Sequence, residues 1–86
     1  MSIGEVKVVL DEAHHLLDQG KTTIEGVGTG LDEAAGLVLA TLHDSQRTEA
    51  DQARKAIADA VREVKLTLRV IAAAQEHGST YRKALG

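Results

Sequence analysis

Eighty-six residues with a net charge of -3, no Cys, no Pro, no Trp, no Phe and a single Tyr make one domain, close to the lower size limit for a self-sufficient core. The composition excludes disulfides, thiolate metal sites and Cys nucleophiles, and leaves any core thin and aliphatic. The longest uncharged apolar run, Ala34 to Leu42, is too short to span a bilayer, so no membrane insertion is expected. The opening Met1-Ser2-Ile3-Gly4-Glu5 lacks a basic, apolar leader, so the expected location is cytoplasmic, with export alongside a partner as the other route.

Helix 1 is predicted from about 3 to 43. Ser2 followed by Glu5 has the spacing of a capping box. From there Ile3, Leu10, Leu17, Ile24, Leu31 and Val38 recur every seven residues. Val6, Ala13, Gly20, Val27, Ala34 and Thr41 fill a second column three residues on. The stretch Gly26-Val27-Gly28-Thr29-Gly30 is weak for a helix, since each Gly costs about 1 kcal/mol relative to Ala. The heptad phase nevertheless runs through it unshifted, which predicts one long helix with a soft centre, kinked or straight. About 40 residues rising about 1.5 Å each give a rod of roughly 60 Å.

A polar turn is predicted over about 44–47, centred on Ser45 and Gln46. Asp44, Ser45 and Thr48 are the candidate N-caps of a second helix over about 48–84. In that helix Ala50, Ile57, Val64, Ile71, Gly78 and Leu85 keep the seven-residue column, accompanied by Ala53, Ala60, Thr67, Ala74 and Tyr81. His77-Gly78-Ser79-Thr80 weakens the pattern before a last turn at Tyr81 to Leu85. Folding the chain back at the turn brings together residues whose numbers sum to 91, so that mostly large residues oppose small ones. The fold class is thus all-α: a long antiparallel two-helix hairpin of coiled-coil type, a single domain over 1–86.

The intrachain seam is assigned to Leu10, Leu17, Ile24, Leu31, Val38, Ile57, Val64 and Ile71. Val9, Leu16 and Leu37 flank it on helix 1, and Val61 and Leu68 flank it on helix 2. These five are assigned to a partner interface, because leaving them bare exposes a long apolar patch. Two hairpins pairing into a four-helix bundle would cover it. Charge supports the antiparallel fold: residues 1–44 hold eight acids and two lysines (-6), whereas residues 45–86 hold five acids and eight Lys or Arg (+3).

Little here carries chemistry. Gly20-Lys21-Thr22-Thr23 lacks the upstream Gly and the strand of a phosphate-binding loop, and Gly26-x-Gly28-x-Gly30 lacks the context of a dinucleotide fingerprint. Asp11, His14, His15 and Asp18 share a helix face, but the Glu and Glu-x-x-His set of bundle metal sites is missing. His43 and Ser45 have no third partner, so no catalytic residue, metal or cofactor is assigned. Arg54, Lys55, Arg62, Lys65, Arg69, Arg82 and Lys83 make helix 2 basic, yet acids interrupt the run and no aromatic is placed for base stacking. Nucleic acid is therefore not an expected partner. It stands, with a purely structural self-associating role, as the alternative to a non-enzymatic interaction protein.

A small Cys-free hairpin of this length with a late Tyr resembles the ESAT-6/WXG100 superfamily and the hairpin targeting chaperones of type VII secretion. The family's Trp-x-Gly turn would fall at His43-Asp44-Ser45, and its C-terminal Tyr-x-x-x-Asp/Glu signal at Tyr81, where the fourth residue on is Leu85. The resemblance thus implies a secretion-associated small protein or a chaperone and adaptor, with an export signal supplied by the partner. The segments Leu42 to Ile57 and Tyr81 to Gly86 are also similar to small proteins of high-GC actinobacteria. The implied partners are a second copy (a homodimer) or a helical protein such as a secreted toxin.

Overall fold

A computed structural model describes residues 1–86 as two helices, α1 (Ile3–Leu42) and α2 (Thr48–Ala84), folded back on each other into a rod of 62 × 16 × 15 Å. The Ser2 hydroxyl accepts the Glu5 backbone N–H at 3.1 Å, and Glu5 lies in the first turn, where its charge favours the helix dipole. α1 runs unbroken through Gly26 to Gly30. Most of its glycines look into open space, but Gly28 does not: a Cβ there would lie 3.2 Å from Val64 Cγ1. Gly28 is therefore a point of close approach between the helices, and the soft centre lets α2 come near.

Thr22, Thr23 and Thr29 bond back to the carbonyls four residues earlier at 3.1–3.2 Å, so the Gly20-Lys21-Thr22-Thr23 stretch is ordinary helix. α2 likewise continues through His77-Gly78-Ser79-Thr80, with Gly78 and Ser79 half-buried.

The turn is built differently from the capping expectation. Arg47 occupies the N-cap of α2 with no side-chain cap bond, in place of Asp44, Ser45 or Thr48. Ser45 serves the turn itself: its Oγ accepts the Arg47 N–H at 3.3 Å. The loose end that needs a partner is the C-terminus of α1, whose last carbonyls have no intrahelical donor. Arg54 provides it from the second turn of α2, donating to Leu42 O at 2.7 Å and Ser45 O at 3.3 Å. Asp51, at 2.5 Å, holds the guanidinium in place.

Cross-helix contacts join Gly28 to Val64, Asp18 to Gln75 and Asp11 to Arg82. Their numbers sum to 92 or 93, within two residues of the register read from the turn and far from a heptad slip. All eight seam residues are half-buried, and so is every residue of the column from Ile57 to Leu85, with Ala50 fully buried at its head.

The second columns are met in part: Val6, Gly20, Ala34, Ala53 and Ala60 are half-buried as expected. Ala13, Val27 and Thr41 are exposed, while Gly28, Ala35 and Leu42, one position on, are half-buried. On α2, Thr67, Ala74 and Tyr81 are exposed, while Val61, Leu68 and Gln75 are half-buried. Positions three and four after a seam residue flank it on opposite sides, and a helix of about 3.6 residues per turn drifts against a repeat of about 3.5. The two helices are rolled slightly toward the side bearing the later positions.

The glycine environments predict opposite responses to a methyl group. Gly26→Ala should raise stability by about 0.5–1 kcal/mol through helix propensity alone. Gly28→Ala should gain less or lose stability, because its methyl crowds Val64. Thermal unfolding followed by circular dichroism would separate the two by several degrees.

Candidate interaction surface

The hairpin has two long faces, one on each side of the seam, and they differ in chemistry. One is laced with polar bonds. Arg82 Nε and Nη2 donate to the two oxygens of Asp11 at 2.7 and 3.1 Å, a bidentate pair. Gln75 Nε2 donates to Asp18 Oδ1 at 2.7 Å, and Lys7 Nζ donates to the Gly86 carbonyl. Together with the Arg54 clamp these bonds fasten one edge at its two ends, the chain termini and the turn; between them the same edge is lined by Ala35, Leu39, Ala58 and Val61.

These struts account for the residues considered for metal binding. The Asp11 and Asp18 carboxylates are already engaged by α2, and His14 stands 4.0 Å from Asp18. No group of three His, Cys, Asp or Glu residues comes together to hold a metal ion. The Arg82 guanidinium holds the Asp11 carboxyl below its ordinary value of 3.8 through the side-chain bond and, more weakly, through charge. Asp11 in turn raises the affinity of Arg82 for its proton.

Successive residues on a helix turn by about 100°, so the positions just before and just after a seam residue point to opposite faces. Asp11 and Asp18 follow Leu10 and Leu17 and lie on the tied face. Val9, Leu16, Thr23, Gly30 and Leu37 precede their seam residues and lie on the other. By the same geometry Ala56, Glu63, Val70, His77 and Ala84 of α2 share that second face. No polar bond joins the helices across it. Val9 is 52% exposed, Leu16 64%, Leu37 70% and Val70 68%.

Three of the five residues assigned to a partner interface, Val9, Leu16 and Leu37, thus stand exposed on one face. Val61 and Leu68 do not join them. They line the tied face against Gly28, Thr29 and Asp32, half-buried, because the roll of the helices turns the fourth position after each seam residue inward. Val70 takes the outward role on α2, with Leu66 one turn before it. Val70 was legible as the residue before Ile71, by the reasoning that picks Leu16 before Leu17; counting flanking apolar residues on the wrong side of the α2 column missed it.

No family model, curated protein or solved structure matches the chain. No helix is long and apolar enough to cross a membrane.

The Asp11–Arg82 pair predicts a pH dependence. A carboxyl whose folded pKa is depressed adds stability above its ordinary pKa, and that contribution is lost as pH falls through the folded value. Melting temperature should therefore fall below about pH 4. In Arg82→Gln the drop between pH 5 and pH 2 should be smaller than in the wild type. An identical acid profile in both proteins would assign the loss to other carboxylates.

Proposed function

We propose that this chain is a non-enzymatic helical-hairpin interaction protein whose working surface is the untied face. The supporting observation is that face itself: a 62 Å rod carries Val9, Leu16, Leu37 and Val70 exposed along one side, while the polar bonds that join its two helices lie on the other side. Its accessible surface supports the same reading. The chain exposes 6405 Å², whereas a compact monomer of 9.1 kDa exposes about 4,900 Å². Ala50 alone is fully buried. Covering the untied face with two further helices makes a four-helix bundle and supplies the core that a hairpin lacks.

The setting is inferred from the resemblance to the ESAT-6/WXG100 superfamily. A hairpin of this length without a catalytic constellation suits a small secretion-associated protein, or a targeting chaperone that shields a helical partner before export. The outer column of α2, basic at Lys55, Arg62, Arg69 and Lys83 but interrupted by Glu76, leaves nucleic acid as the second reading. That reading requires binding that falls steeply with salt.

Leu16→Glu combined with Leu37→Glu tests the main reading. Both side chains are exposed in the hairpin, so the helices should persist by circular dichroism. Each carboxylate placed in an apolar contact costs several kcal/mol, so association should be lost. Light scattering at tens of micromolar would report self-association, and retention of a helical protein from the native host would report a heterologous partner. Wild-type protein that is monomeric, and whose captured proteins are unchanged by the two charges, would overturn the proposal.

A further inference from the structure

The untied face has a symmetry that points to its occupant. Asp11–Arg82 and Asp18–Gln75 place residues whose numbers sum to 93 at one level of the rod, so Thr23 lies level with Val70. That level is the middle of α1. About it the outward column of α1 reads Val9, Leu16, Thr23, Gly30, Leu37, and that of α2 reads Ala56, Glu63, Val70, His77, Ala84. One heptad either side of the centre, a large residue on α1 mirrors a glycine. On α2, an acid mirrors a histidine. Glu63 and His77 are the only acid and the only base in these two columns, and they stand equally far from Val70.

We propose that a second copy of this chain covers the face, related by a two-fold axis crossing the rod at Thr23 and Val70. The inference rests on the association reading above. A two-fold contact is reciprocal: if residue i meets residue j, then j meets i. An axis at this level lays α1 antiparallel on α1 and α2 antiparallel on α2. Leu16 of each copy then fills the space over Gly30 of the other, where nothing lies within 4 Å of the Cβ position. Val9 meets Leu37, Ala56 meets Ala84, and Glu63 of each copy meets His77 of the other, so the two ionisable groups pair instead of being buried alone.

The competing symmetry, with the axis along the rod, sets α1 over α2. It stacks Leu16 on His77 and Gly30 on Glu63, leaving both ionisable groups against uncharged neighbours. Area agrees with a stable dimer. A face of 62 by 16 Å offers roughly 1,000 Å² per copy, above the roughly 800 Å² per partner of a standard interface.

Single cysteines test the axis, because the chain has none of its own. Residues on a two-fold axis meet their own copies, so Thr23→Cys and Val70→Cys should each form a disulfide-linked dimer under mild oxidation. Leu37→Cys and Ala56→Cys should not, since they face Val9 and Ala84. A second measurement uses charge. Glu63→His or His77→Glu alone should weaken dimerisation in mildly acidic buffer by roughly tenfold, since two pairs are lost. Exchanging the two residues in one chain should restore it to near the wild-type value. Linkage of Thr23→Cys only with Val70→Cys, in a mixture of the two, would overturn the crossing axis and indicate the axis along the rod. A wild-type monomer at tens of micromolar would overturn the second copy as occupant, while leaving capture of a heterologous helix as the separate test of the association reading.

Discussion

Two helices laid side by side touch along one line, and that line can hide only a narrow stripe of each. Here the stripe is aliphatic, without an aromatic side chain at its centre, and its residues stay half-buried from Leu10 to Val38 and from Ile57 to Ile71. A single seam has no inside. The hairpin is therefore a fold whose element order and register are well specified but whose hydrophobic contribution is small for its length.

The chain compensates on one side with bonds that need no core. Arg54 closes the turn by taking the orphan carbonyls of α1, while the bidentate Arg82–Asp11 contact and Gln75–Asp18 fasten the open end. Exposed pairs of this kind each contribute only about 0.2–1 kcal/mol, so their larger effect is on register and on the roll of the helices. By drawing the helices together along one edge they turn Val61 and Leu68 inward and leave Leu16, Leu37 and Val70 bare on the other edge. The polar edge and the apolar edge are consequences of one asymmetry.

That asymmetry also bears on chemistry. Asp11 and Asp18, which flank His14 and His15 in the sequence, are used as struts, and those two imidazoles remain at the surface. The grooves between the helices are open along their length, so they provide no enclosed space in which water is excluded from a reacting group. What the rod offers is a long surface of small and branched side chains, the kind of surface that other helices pack against.

The sequence determined the helices, their length, the turn and the register, because a seven-residue apolar repeat and a polar break are local signals that survive without a partner element. It also contained the outward column of α1, since Val9, Leu16 and Leu37 precede seam residues at a fixed angle. It did not reveal the cap of α1 by Arg54, which reaches back across the turn from twelve residues away, nor the glycine at which α2 approaches most closely. The flanking column of α2 was decided by tertiary structure for the same reason. Position four after a seam residue is the more polar flank in the sequence, with Lys7, His14, Lys21, Arg54, Gln75 and Arg82 against Val6, Ala13, Gly20, Ala53, Ala74 and Tyr81 at position three, so only the packing of one helix on the other turns Val61 and Leu68 inward.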